Sequence, residues 1–269
     1  VSSSLEVNSS IQEQLTGRKF EFELMPLSTR ELVDRHGIIE EKRNLDRRLI
    51  YGFYPEIVTD PEFTEENLKS LASSYLYKDI LALYKVRHAD MLEKLLRALA
   101  LQVGQLVSYN ELSNAIGLDK ETIERYVNLL EQAYVLFRLP SYSKNLRNEL
   151  KKSRKIYFYD NGIRNAVIGN FNALERRNDR GALWENFLIS ERRKLWNNLN
   201  EPFKSYFWRT QQKQEIDYVE EQGGRLRAFE FKFGKNSKAR LSKTFTGNYH
   251  PQNSGIITAD NYMSFLIQD

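Results

Sequence analysis

The chain has 269 residues, more than one average domain of about 100–200 residues, and 41% of it is apolar and 28% charged. That balance excludes collagen-like, low-complexity and largely disordered chains. No apolar run approaches the roughly 20 residues of a membrane-spanning helix, and the first residues, Val1 to Glu6, lack the basic and then apolar pattern of a signal peptide. Cysteine is absent, which excludes disulfides, thiol catalysis and Cys-based zinc sites and fits a cytoplasmic location. The three histidines, His36, His88 and His250, are too far apart in sequence for a His-rich metal motif.

Charge divides the chain. Residues 1–140 hold 17 Lys/Arg against 22 Asp/Glu, or −5, and residues 141–269 hold 23 against 14, or +9. A basic half beside an acidic half fits contact with a polyanion, and equally a surface solvated by lysine and arginine.

In chain order, Ile11 to Leu15 reads as a short helix, and Lys19 to Leu24 alternates like a half-buried strand. Ser28 with Glu31 forms a capping-box pattern at a helix start. Gly52-Phe53-Tyr54-Pro55 reads as a turn, and Thr64 to Leu99 has helical spacing with a break near Val86–Ala89. Ser108 with Glu111 opens a short helix, Gly117 turns the chain, and Asp119 caps a longer helix whose apolar face carries Ile123, Tyr126, Val127 and Leu130. Helix, turn, helix followed by strands at Val135–Leu139 and Ile156–Tyr159 predicts a winged-helix unit. Its wing would carry Lys144, Arg147, Lys151, Lys152, Arg154 and Lys155. The second helix of the pair holds Lys120 and Arg125 against Glu121, Glu124 and Glu131, which suits a structural or protein-binding role better than phosphate contact.

From Gly181 the pattern becomes mixed α/β: a helix over Ala182–Leu195, strands at Tyr206–Arg209, Glu215–Val219, Leu226–Phe233 and Gly255–Thr258, and a crossing helix or loop near Ala239–Phe245. Strand side chains alternate faces, so Phe229, Phe231 and Phe233 point to one side and Glu230 and Lys232 to the other. Glu215 and Asp217 likewise share a face, and a tight turn through Gly223-Gly224 places Asp217 across from Glu230. Glu185 interrupts the apolar run Leu183, Trp184, Phe187, Leu188. Converging carboxylates are costly unless neutralised, and a hard dication such as Mg²⁺ does this with one or two carboxylates plus waters. An adjacent ammonium stabilises charge on a reacting phosphate. The pattern therefore fits phosphodiester hydrolysis; the bland alternative is a solvated antiparallel pair with incidental charges.

The order helix Glu185, strand Asp217, then Glu230-x-Lys232 resembles the PD-(D/E)xK nuclease-like fold of restriction endonucleases and Holliday-junction resolvases. The segments GFYPEIV, YLYKDI, LLEQAYVLFRL, KIYFYDNG, GALWENF, YFWRT and EIDYVE together resemble prokaryotic AAA-type ATPases that carry a C-terminal nuclease-like domain of unknown function. The resemblance covers nearly the whole chain. It implies catalytic roles for Glu185, Asp217, Glu230 and Lys232, with Asp217 and Glu230 as Mg²⁺ ligands. Ser2-Ser3-Ser4 and Thr16-Gly17-Arg18 resemble late sensor elements of the ATPase core, but no GxxxxGK[ST] phosphate loop is present. ATP would thus be bound only by a longer chain. One departure stands out: the turn before EIDYV usually contains glycine, and here it reads Gln211-Gln212-Lys213-Gln214.

The expected fold class is α/β and all-α, a winged-helix-like helical middle followed by a restriction-endonuclease-like mixed α/β domain. The expected division is an ATPase remnant over 1–35, a helical and winged-helix region over 36–160, and a nuclease-like domain over 161–269. Expected function is Mg²⁺-dependent nucleic-acid hydrolysis or nucleic-acid binding. The alternative is a non-catalytic nucleic-acid or protein-binding and assembly module coupled to the missing ATPase core, in a protein that assembles with a partner or with copies of itself and does not enter a membrane.

Overall fold

The computed structural model describes residues 23–60, 62–73, 89–143, 153–234 and 240–267. The features expected over Ser2–Ser4, Ile11–Leu15 and Thr16–Arg18, most of the Lys19–Leu24 strand, the segment Tyr75–Ile80, and Lys144, Arg147, Lys151 and Lys152 lie outside them.

The architecture is mixed α/β, with helices predominating and two small sheets. Among the described residues six helices come first: α1 (Thr29–His36), α2 (Ile38–Arg43), α3 (Leu45–Tyr51), α4 (Pro55–Thr59), α5 (Thr64–Ser73) and α6 (Ala89–Leu101). Their ends follow local chemistry. The Ser28 hydroxyl accepts the Glu31 N–H while the Glu31 carboxylate accepts the Ser28 N–H, a reciprocal cap on α1. Pro55 sits in the first turn of α4, where its missing N–H costs nothing.

After α6 the order is β1 (Leu106–Val107), α7 (Tyr109–Ile116), α8 (Lys120–Gln132), β2 (Leu136–Pro140) and β3 (Arg154–Phe158). Ser108 caps α7, and Gly117 ends it in the left-handed conformation that glycine adopts without Cβ strain. Asp119 caps α8, which buries Ile123, Tyr126, Val127, Leu129 and Leu130. The three strands form an antiparallel sheet in the order β1-β3-β2. β3 starts two residues earlier than the apolar run suggests, because Arg154 and Lys155 pair with Pro140 and Leu139.

The remaining α-helices and strands among the described residues are α9 (Asn161–Ile168), α10 (Arg180–Asn198), β4 (Lys204–Arg209), β5 (Glu215–Gln222), β6 (Arg225–Phe231), α11 (Lys243–Tyr249), β7 (Asn253–Ile257) and α12 (Tyr262–Ile267), with a short 3-10 turn at Leu174–Arg176. The second sheet runs β4-β5-β6-β7, antiparallel except for the parallel pair β6–β7. The crossing helix lies a few residues beyond the Ala239–Phe245 expectation, capped by Ser242.

Helix α10 is buried on nearly every side, which explains its weak apolar periodicity. Most of its buried polar groups are paired, as burial favours, the Trp184 Nε1 and Arg193 Nε being without a hydrogen-bond partner. Asn186 clasps β3 by accepting the Phe158 N–H (2.7 Å) and donating to the Phe158 carbonyl (3.1 Å). Arg192 meets Glu220 on β5, and Lys194 meets Glu191. The main core is continuous from Leu32 through Tyr157 and Trp184 to Leu266, so it joins the early helices to both sheets. α9 packs on α3, α5 and α6 as well as on α10. The sheets also meet directly: the Tyr142 N–H donates to the Phe207 carbonyl on β4 (2.6 Å), just past the end of β2. That junction sets β2 beside β4, and Lys155 on β3 reaches Glu215 on β5 at 2.7 Å.

Candidate active site

Five elements aim polar side chains into one open cleft of about 590 Å³, lined by Lys155, Glu185, Arg209, Glu215, Asp217, Glu230 and Lys232 and by the chain at Gly104–Leu106. The alternation of β6 explains half of it. Phe229 and Phe231 face the core, where they meet Phe265 edge-on and tilted respectively, and Phe233 meets Trp184 edge-on. Glu230 and Lys232 are therefore turned to the opposite face, 3.2 Å apart. The register Tyr218↔Phe229 puts Asp217 one step further, opposite Glu230. The Asp217 carboxylate accepts the Phe231 N–H (2.8 Å) and lies 3.6 Å from the Lys232 ammonium. All four residues expected from the sequence, Glu185, Asp217, Glu230 and Lys232, line this one cleft.

Sequence reasoning missed the other half. Lys155 was expected in a basic wing, but it lies on β3, is only 4% exposed, and reaches Glu185 (3.0 Å) and Glu215 (2.7 Å). Tyr157, two residues along the same strand face, donates its hydroxyl to the same Glu185 oxygen. Arg209 on β4 meets the second oxygen of Glu215 at 3.3 Å. The available signal was the i, i+2 pair Lys155 and Tyr157, visible once the strand is extended to Arg154.

The cleft divides into two charge groups. On one side Lys155 sits between Glu185 and Glu215; on the other Lys232 sits beside Asp217 and Glu230. Burial, followed by the charge of Asp217, pushes the Glu230 carboxyl up to about 7, against the opposing pull of Lys232. Burial also raises Glu185, with Asp217 adding to the effect and Lys155 and Tyr157 opposing it. Burial works against the charge of both lysines, yet the paired carboxylates outweigh it and raise both: Glu185 and Glu215 for Lys155, Asp217 and Glu230 for Lys232. Burial and then Glu185 hold the Tyr157 hydroxyl well above its ordinary value, so it remains a donor.

Hard oxygen donors in a partly buried, mutually repelling pair suit a divalent cation. Asp217 and Glu230 are that pair, since Glu185 and Glu215 are committed to Lys155. Among the described residues, no three Asp, Glu or His side chains are already gathered as ligands. No described helix is long and apolar enough to cross a membrane.

Proteins similar to this chain supply no activity. An uncharacterised protein of Mycobacterium tuberculosis is 30% identical over 229 residues, 82% of this chain and 48% of its own length. One from Haemophilus influenzae is 29% identical over 165 residues, 58% of this chain and 41% of its own length. The chain thus spans about half, or less, of the curated relatives it matches. No solved structure matches it. Its two parts are similar to two families: residues 42–174 match one described as a domain of unknown function (DUF8612), and residues 180–268 match another described in the same way (DUF4143).

Proposed function

We propose that the chain is the C-terminal part of an AAA-type ATPase whose cleft hydrolyses nucleic-acid phosphodiesters with Mg²⁺. One observation carries this reading: Glu185, Asp217, Glu230 and Lys232, from three elements, share one open cleft. The second matched family is commonly found in C-terminal regions associated with AAA-type ATPases. The sheet order β4-β5-β6-β7 with α10 across it is read as nuclease-like. The segment α6-β1-α7-α8-β2-β3, with sheet order β1-β3-β2, is read as a winged helix. ATP would be bound by a part of the protein outside these residues.

Asp217 and Glu230 would hold the Mg²⁺. The ion supplies Lewis acidity to the phosphate and to the attacking water. Lys232, the most exposed of the cleft's charged pairs at 41%, is free to swing from its carboxylates onto a phosphate oxygen and stabilise the charge that develops there. Tyr157 and Lys155 fix Glu185 in place. Arg209 and the basic residues of the C-terminal half would track the phosphate backbone.

The test uses the purified chain with Mg²⁺ and end-labelled single- and double-stranded DNA and RNA. Cleavage that Asp217→Ala and Lys232→Ala abolish supports the reading. Cleavage untouched by both substitutions rejects it.

A second reading has its own observation. Every carboxylate of the cleft already has a cationic partner. The site would then be a neutralised scaffold in a nucleic-acid or protein-binding module that relays the state of the ATPase. Salt-dependent DNA binding without cleavage at any metal concentration favours it.

A further inference from the structure

We infer that Lys155 is a built-in counter-cation that limits the cleft to a single divalent ion by occupying Glu185 and Glu215. This rests on the nuclease-like reading of the same cleft. The cleft contains four carboxylates, Glu185, Glu215, Asp217 and Glu230, enough for two dications at one or two carboxylates each. The two halves are not equivalent. Lys232 is 41% exposed and touches its carboxylates at 3.2 and 3.6 Å, a loose arrangement that an incoming cation can displace. Lys155 is 4% exposed and bridges Glu185 and Glu215 at 3.0 and 2.7 Å. Its ammonium also lies 5.5 Å from the centre of the buried Phe207 ring, a favourable cation–π position.

Lys155 has nowhere to go. It is nearly buried although it borders the cleft, and leaving would strand its ammonium away from both partners, which costs far more than moving an exposed one. The carboxylates it holds are further engaged: Tyr157 donates to the same Glu185 oxygen, and Arg209 takes the other oxygen of Glu215. A cation arriving at these carboxylates would have to compete with a fixed positive charge about 3 Å from each. Asp217 and Glu230 are left as the half open to a dication. Lys155 comes from β3, in the other sheet, so the limit is imposed by one part of the molecule on a site built mainly from the other.

The experiment is a calorimetric titration of the full 269-residue chain with Mn²⁺ alone, with bound Mn²⁺ counted independently by electron paramagnetic resonance. The wild type is expected to bind one Mn²⁺, Asp217→Asn to bind none, and Lys155→Met to bind two. Lys155→Arg restores the charge and is expected to return the count to one. Thermal unfolding of each variant verifies the fold, and Lys155→Gln replaces Lys155→Met if the methionine variant does not fold. One Mn²⁺ in both wild type and Lys155→Met, lost in Asp217→Asn, overturns the role of Lys155 and leaves the nuclease-like reading standing. Two Mn²⁺ in the wild type overturns it in the same way. No Mn²⁺ bound by the wild type or by Lys155→Met overturns both.

Discussion

Gly52 and Asp160 are interlocked: a Cβ on Gly52 would lie 2.1 Å from the Asp160 Oδ1. Asp160 needs that space. It is 2% exposed, caps α9 by accepting the Ile163 N–H (3.1 Å), and accepts the Phe53 N–H (2.7 Å) across 107 residues of sequence. Gly52 itself has φ +75° and ψ −152°, a region that side chains avoid.

Gly52→Ala is therefore expected to destabilise the chain severely. Backbone strain and the broken carboxylate contacts together reach about 3 kcal/mol or more. Urea denaturation followed by circular dichroism measures it, and a loss under about 1 kcal/mol means that the contact relaxes easily.

Lys213 is the opposite case. It has φ +63° in the turn between β4 and β5, donating its N–H to the Thr210 carbonyl (3.1 Å). A lysine here adopts the conformation that glycine takes without strain. Lys213→Gly is expected to stabilise by up to about 1 kcal/mol, the relief of strain being partly offset by the greater entropy of the unfolded chain. A higher denaturation midpoint at unchanged slope is the signature.

Asp179 gives a pH dependence. Burial opposes its charge, but Arg177 and Arg164 more than compensate and lower its carboxyl to about 2. Those partners lie at 2.8 and 2.5 Å. A depressed folded-state value contributes stability above the unfolded value, and that stability is lost as pH falls toward about 2. Asp179→Asn is expected to lose on the order of 2 kcal/mol at pH 7, with the difference from wild type shrinking between about pH 5 and pH 2. A difference constant across that range would assign the loss to packing rather than charge.

Lys232→Ala separates chemistry from stability. A half-exposed pair contributes at most about 1 kcal/mol, so the melting temperature should barely move. Loss of an ammonium from a phosphate-charge site is expected to lower cleavage by on the order of 100-fold or more. Unchanged cleavage with an unchanged melting temperature removes Lys232 from the chemistry.

The sequence was most legible where a single period governs the side chains. Phe229, Phe231, Glu230 and Lys232 could be sorted to two faces by alternation alone, and the turn at Gly223-Gly224 set Asp217 opposite Glu230. The caps at Ser28, Ser108 and Asp119 were readable for the same local reason. Lys155 was hidden because neighbouring basic residues disguised the start of β3, and only pairing with β2 shows where the strand begins. The buried pairs Arg192–Glu220 and Lys194–Glu191 were invisible too, since nothing local distinguishes them from solvated charges on a helix.

The unbroken core around α10 also bears on how the chain can be divided. The two family matches part at residues 174 and 180, at the doorstep of this helix. Yet Trp184, Phe187 and Asn186 lean on partners from before that junction, including Phe53 and Phe158. A fragment starting at residue 180 would carry an apolar flank with nothing to lie against. The seam between the two family matches thus runs through one shared apolar interior.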